Sequence, residues 1–363
     1  MDYKFLFVLL ATIALSFFTS IVLLPYVYKY GLKMGIIDGF DERKVEAKYQ
    51  VRFGGLAIVI PFYFSIITAY ILSAINFIEI NFEFSPLIII ALVSGIFFFI
   101  IGLLDDLFSL SPYLRLILQI IVIAITISIG FYIKLEIFDE LYSQNQFFIK
   151  GFYNIVTILF LVGLINSFNW IDGLDGLASG VTGIVTFGFL LMSIISKNNT
   201  AALLAASNIG AVLGFLRYNT YPSKIIMGDG GAYFLGYTNG VIGLFSFSNS
   251  IQNNDIVFDL RNLMLLFLIL FLPIFDMSLV IFRRLKNGKS PFFPDRTHLH
   301  HIFYDRGLSH KKTVFLIYAI TQWFVSLAIN IKLANNNFII LISSLVLLIS
   351  VLLILKKSHI KTP

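Results

Sequence analysis

The feature that most constrains this chain is a train of apolar stretches that runs nearly from end to end. A helix that spans a bilayer needs about 20 mostly apolar residues. Eleven such stretches fall at approximately 4–28, 54–76, 86–104, 114–133, 152–168, 177–196, 200–217, 231–247, 263–282, 313–332 and 337–355. Of the 363 residues, 58% are hydrophobic and 13% charged, whereas a soluble domain carries about 25% charged residues. No water-soluble fold buries that much apolar surface, so lipid is the solvent for most of the chain. The opening stretch is too long for the apolar core of a signal peptide and no small-residue cleavage site follows it, so it reads as the first span. The expectation is an all-α integral membrane protein of about eleven transmembrane helices, with residues 1–363 forming a single polytopic domain. The absence of cysteine excludes disulfides, thiolate metal sites and cysteine nucleophiles.

The basic residues orient the chain. With the N-terminus outside, the inside segments are 29–53, 105–113, 169–176, 218–230, 283–312 and 356–363. These and their immediate edges hold 20 Lys and Arg against 6 outside, so the positive-inside rule places the C-terminus in the cytoplasm. The net charge of +6 is therefore an orientation signal or a means of binding phosphate, and no nucleic acid is called for. The same parity gathers every polar cluster on the inside. The opposite segments hold scattered polar residues only; Ile133 to Lys150 there fits an interfacial segment or a short hairpin.

Five features carry chemistry. Asp105-Asp106 end an apolar run, and two adjacent carboxylates at a membrane face repel unless a cation or a proton-transfer role offsets the repulsion. The run Asn166 to Gly180 (N-S-F-N-W-I-D-G-L-D-G-L-A-S-G) places Asn166, Asn169 and Asp172 on one helical face. Its amide and carboxylate oxygens suit a hard cation and sugar hydroxyls, although Asp175 also suits a helix cap. In Arg217 to Gly231, Gly-Asp229-Gly-Gly opens an apolar helix, whose free amides favour phosphate while Asp229 suits Mg²⁺ or an ordinary cap. Pro294 to His301 holds three of the five histidines, His298, His300 and His301, beside Arg296. Without cysteine, and with an oxygen-rich partner set, pyrophosphate recognition fits these better than zinc. Asp276 lies inside the ninth span, where an acid is functional by default; its partner is Arg283, Arg284 or a histidine of the following loop.

One face thus offers carboxylates for a divalent cation, amides and imidazoles for phosphates, and a membrane for an apolar substrate. That combination suits phosphoryl transfer between a nucleotide and a lipid phosphate.

The motifs Asp38 to Gly55, Asp105-Asp106, Asn166 to Gly180, Asn219 to Gly231 and Asp295 to His301 resemble, in order, those of the polyprenyl-phosphate N-acetylhexosamine-1-phosphate transferase superfamily. The resemblance covers nearly the whole chain. It implies a bacterial plasma-membrane enzyme of ten or eleven helices, often a homodimer, with a cytoplasmic cleft. It implies transfer of a sugar-1-phosphate, GlcNAc-1-phosphate above all, from a UDP-sugar to undecaprenyl or another polyprenyl phosphate. It implies catalysis at Asp105 or Asp106, and Mg²⁺ (or Mn²⁺ as substitute) on Asp229 with Asn169 beside it. Nucleotide and sugar contacts fall to Asn166, Asp172, Asp175, Asn219 and Arg52, and diphosphate contacts to His298, His300, His301 and Arg296. There are departures: Glu46, Tyr49 and Val51 stand where relatives carry His and prolines, and Ile226 stands where a Phe stacks on uracil. The rivals are the same chemistry on UDP-MurNAc-pentapeptide or another UDP-N-acetyl sugar, and, from another class, a secondary transporter. A transporter places its polar site near the midplane between repeats; here the clusters lie at one surface and no repeat is evident.

Overall fold

The computed structural model describes residues 3–38, 50–75, 85–135, 146–248, 256–292 and 295–333. The eleventh apolar stretch, most of the Asp38 to Gly55 motif and residues 136–145 lie outside the described residues. Each of the other ten stretches has its helix. In chain order these are α1 (Tyr3–Lys33), α2 (Leu56–Ala74), α3 (Pro86–Phe108), α4 (Pro112–Ser128), α5 (Gln146–Ile171), α6 (Leu177–Ile195), α7 (Asn199–Asn219) and α8 (Gly228–Phe247), then the pair α9 (Leu260–Ile269) and α10 (Phe271–Lys286), and, after the short α11 (Leu299–Asp305), α12 (His310–Leu333). Among the described residues seven helices are long and apolar enough to cross a membrane, and the bent pair α9–α10 makes up to eight. The chain is an all-α, multi-pass membrane protein.

Local chemistry sets the helix ends. Ser85 and Ser111 cap α3 and α4 by accepting from the amides of Ile88 and Leu114, each with proline at the first helical position, where its missing N–H leaves no bond unmade. Ser109, at φ 50°, ends α3, so a tight turn reverses the chain and brings the first turn of α4 back beside Asp105. The stretch 263–282, expected as one span, is broken by 77° at Leu270. Pro273 supplies the reason: its ring clashes with the carbonyl four residues back, at Ile269, and it has no N–H to give.

The central helix is α8, buried over almost its whole length and packed against α3, α5 and α6. Outside it, α1 lies against α7, where Gly210 and Gly214 let the backbone meet Ile13, Ser16, Phe17 and Ser20. Small residues four apart are how membrane helices approach closely without a hydrophobic driving force between them. Buried hydroxyls and amides join the spans: Ser16 donates to the Ser207 carbonyl at 2.8 Å, and Thr186 donates to Asn239 Oδ1 at 2.7 Å.

Two short strand clips complete the architecture. β1 (Ile37–Asp38) pairs antiparallel with β2 (Gln50–Val51), and Val51 also bridges Ile225. At the opposite end of the bundle, β3 (Ile133–Leu135) runs parallel to β4 (Ile256–Phe258). Part of the segment expected to lie at the interface or form a hairpin therefore pairs with residues more than a hundred positions away.

Candidate active site

The segment after β2 is stitched to the start of α8: Ile226 donates to the Val51 carbonyl at 3.0 Å, Gly54 to Ile226 at 3.0 Å and Gly55 to Met227 at 2.9 Å. This carries Arg52 onto the α8 N-terminus, where its Nε lies 2.8 Å from Asp106 Oδ1 and its Nη2 3.2 Å from Asp229 Oδ2. Burial acts to lower the Arg52 guanidinium, but Asp229 and then Asp106 outweigh it and hold it above its ordinary value.

Asp106 accepts from the amides of Asp229 (2.9 Å) and Gly230 (3.1 Å). The first-turn amides expected to hold phosphate are therefore bound by a carboxylate from α3, because a buried helix start must satisfy its free N–H groups. The fit requires glycine at 228: its φ is +73°, and a Cβ there would stand 2.5 Å from Asp106 Oδ2.

Asp105, a neighbour in sequence, faces elsewhere. Its Oδ2 lies 2.7 Å from Arg115 Nη1 and accepts from Tyr233 Oη at 3.2 Å, while Oδ1 accepts from the Leu110 amide at 2.9 Å. Asp105 and Asp229 lie near enough for their carboxylates to repel each other. Asp229 in turn accepts from Asn169 Nδ2 at 2.7 Å. Of the three carboxylates, Asp229 is the most open, with 15% of its side chain exposed against 2% for Asp106 and 4% for Asp105.

The loop after α5 divides into open and closed parts. Asp172, half-buried, lies within the field of Arg52. Asp175 accepts from the Ser223 amide (2.9 Å), Ser223 Oγ (2.8 Å) and Gln50 Nε2 (3.0 Å), and its own amide donates to His310 Nε2 at 3.1 Å. Asn219 is buried, accepting from Ser179 Oγ at 2.7 Å and the Gly176 amide at 3.2 Å while donating to the Ile225 carbonyl at 2.9 Å. These two tie the loops together and face inward. Asn166 lies one turn inside α5 and donates to Gln119 Oε1 and the Val162 carbonyl, both at 2.8 Å.

The histidines gather on the other side of the α5 terminus. Trp170, next to Asn169, meets the His298 ring edge-on at 5.9 Å and carries the Arg284 guanidinium over its face at 4.9 Å. Arg284 also binds Asp295 at 2.9 Å, which docks the loop. The partner of Asp276 is His298, with Oδ2 2.9 Å from Nδ1, and its Oδ1 accepts from the Leu299 amide at 2.7 Å. His300 is 2% exposed, presses on Gly173, and has no hydrogen-bond partner at either ring nitrogen. Burial, then the nearby His301 and His298, holds it well below its ordinary value, so the ring is neutral and has one N–H to offer. His301 is lowered by burial and then by Arg296. Arg296 itself is exposed and reaches Asp305 at 3.4 Å.

Among the described residues no group of three or more carboxylates and imidazoles is placed to hold a metal ion. The donors near Asp229 are oxygens: its own carboxylate, that of Asp105, and the Asn169 amide, whose oxygen and nitrogen exchange places by a flip. A small set of hard oxygens fits Mg²⁺, which completes its shell with waters. Three members of the site escape a sequence reading. Arg115 counts there only as an orientation charge, Tyr233 as one more aromatic of a span, and His310 as a lone histidine before a helix. No local spacing links them to Asp105 or Asp175.

The family model of glycosyl transferase family 4 matches residues 87–247. A probable undecaprenyl-phosphate N-acetylglucosaminyl 1-phosphate transferase of Bacillus subtilis (strain 168) is 32% identical over 320 residues, covering 88% of this chain and 84% of its own length. A phospho-N-acetylmuramoyl-pentapeptide-transferase of Prochlorococcus marinus (strain MIT 9301) is 31% identical, with 90% of this chain and 91% of its own length aligned. The undecaprenyl-phosphate alpha-N-acetylglucosaminyl 1-phosphate transferase of Escherichia coli (strain K12) is 28% identical, with 84% and 78% aligned.

Proposed function

Because the chain belongs to glycosyl transferase family 4, within the polyprenyl-phosphate N-acetylhexosamine-1-phosphate transferase superfamily, we propose that it transfers GlcNAc-1-phosphate from UDP-GlcNAc to a polyprenyl phosphate, releasing UMP. The observation that carries the reading is Asp229. It is the one partly open carboxylate of three, held between Arg52 and Asn169 at the end of the bundle where the histidines also converge.

In this reading an oxygen of the lipid phosphate attacks the phosphorus that bears the sugar. The bond from that phosphorus to the bridging oxygen breaks, and UMP departs with the electron pair. The attacking phosphate has a second pKa of about 6, so it arrives largely as a dianion and needs little help from a base. Asp229, with Asp105 and Asn169, would hold Mg²⁺, which when bound neutralises charge on the diphosphate oxygens. Of the adjacent acids, Asp105 is the candidate to touch the acceptor phosphate: its Oδ2 is held by two side chains, Arg115 and Tyr233, whereas Asp106 is locked to two backbone amides of the α8 start. Asp172 and Arg52 face the nucleotide and sugar; Asp175 and Asn219 hold the loops beside them, and Asn166 ties α5 to Gln119. The N–H of neutral His300, with His298, His301 and Arg296, meets the diphosphate. We read the chain with about eleven spans, its N-terminus outside, and this end of the bundle at the cytoplasmic face of a bacterial plasma membrane, in a homodimer.

Purified protein incubated with a panel of UDP-sugars tests this. UMP release should require both polyprenyl phosphate and Mg²⁺ and be fastest with UDP-GlcNAc. Release without lipid, or with Asp229→Ala as active as wild type, refutes it. The Prochlorococcus relative favours a second reading with UDP-MurNAc-pentapeptide as donor, which the same panel separates.

A further inference from the structure

We infer that Asp276 is a positioning residue that fixes the ring of His298 with its Nδ1 proton turned into the protein and Nε2 turned toward the donor substrate as a hydrogen-bond acceptor, for a sugar hydroxyl or a water on the diphosphate. The inference rests on the proposed transferase reading for what Nε2 meets, but not for the state of the ring.

Both oxygens of Asp276 are engaged by one short segment. Oδ2 lies 2.9 Å from His298 Nδ1, and Oδ1 accepts from the backbone amide of Leu299 at 2.7 Å. An ionised carboxylate can only accept, so the nitrogen facing it carries the proton. The amide contact fixes where the carboxylate sits relative to the start of α11, and the ring cannot swing without breaking it. Asp276 is 2% exposed and His298 7%, so water does not compete for the bond. On its other sides the ring meets the Trp170 edge at 5.9 Å and lies nearly parallel to His300, 5.6 Å away. Nε2 is opposite Nδ1 on an imidazole, so it points away from α10. Asn169, one residue before Trp170, is bonded to Asp229. One wall of the site is thereby indexed to α10 through an acid inside the membrane span, which otherwise stands as an expensive buried charge. A carboxylate behind an imidazole sets tautomer and orientation in the way that outer partners do for ligating histidines.

The test is nitrogen-15 NMR of histidine-labelled full-length protein, with the His298 signal identified by its loss in His298→Gln. Wild type should show a protonated Nδ1 at this residue. In Asp276→Asn the amide N–H₂ faces Nδ1, so the proton should move to Nε2. With it, kcat should fall about 10- to 100-fold, while KM for the UDP-sugar and the melting temperature stay close to wild type, and Asp276→Glu should recover most of the rate. An unprotonated Nδ1 in the wild-type spectrum overturns the inference whether or not Asp276→Asn folds. So does an Asp276→Asn protein with the shifted tautomer and full kcat. A wild-type protein that shows the tautomer yet is inactive on every UDP-sugar would instead refute the transferase reading.

Discussion

Asp106 is the residue at which geometry and simple inference from an Asp-Asp motif part company, and Asp106→Ala decides between them. The carboxylate accepts two amide bonds at 2.9 and 3.1 Å and is 2.8 Å from Arg52 Nε. A hydrogen bond to a charged group contributes about 1.5–3 kcal/mol, so the two amides account for about 3–6 kcal/mol. The Arg52 contact adds little, because that guanidinium is 35% exposed and keeps Asp229. The loss falls on the first turn of α8, which carries Asp229, so the turn frays and Asp229 loses its position. If half of the loss appears in the transition state, about 1.5–3 kcal/mol, kcat/KM falls roughly 10- to 100-fold. Asp106→Asn retains one acceptor and should lie between alanine and wild type. The assay is a double-mutant cycle on UMP release with Asp229→Asn, chosen to leave a measurable rate. A residue acting through Asp229 has little left to do once Asp229 is impaired, so the double variant should lose little more than the worse single one. Losses that multiply, with no drop in melting temperature for Asp106→Ala, would show that Asp106 meets substrate directly and that the capping argument fails.

Other expectations follow from the same geometry. Chelation of Mg²⁺ should abolish turnover of wild type, and Asp229→Ala should no longer bind Mn²⁺ as a spectroscopic probe; unchanged Mn²⁺ binding would move the metal elsewhere. Asp175→Ala removes the acceptor for Ser223 and Gln50, so it should lower stability by about 3 kcal/mol or more while leaving KM near wild type, read by thermal unfolding against initial rates. His300 and His301 titrate below their unfolded value of about 6.5. Between the folded and unfolded values the unfolded chain binds more protons, so stability is complete above about pH 6.5 and declines as pH falls below it. The melting temperature should drop on acidification, and less steeply in His300→Gln; parallel curves for the two proteins would remove His300 as the cause.

Much of the architecture is written locally. Ten apolar stretches became helices because a backbone in lipid must satisfy its own hydrogen bonds, and Ser-Pro pairs mark where two of them begin. The polar clusters at Asp105, Asn169, Asp229 and His298 were visible because ionisable groups among apolar runs have few other reasons to exist. Sequence alone thus determined a multi-pass helical membrane protein with polar clusters set among its apolar runs. It did not determine what each acid does. Asp105 and Asp106 are alike in the sequence, but successive residues point about 100° apart around a helix. One therefore meets Arg115 and Tyr233 while the other meets the start of α8. Asp175 and Asn219 belong to motifs that suggest ligand contact, yet their partners are Ser223, Gln50, Ser179 and Ile225. Most of these pairs are separated by many tens of residues, and no periodicity within a segment encodes the distance between two segments. Only packing in three dimensions decides which carboxylate is consumed by buried amides and which is left open to a ligand, because each free N–H at a buried helix end must take the nearest acceptor that the fold delivers.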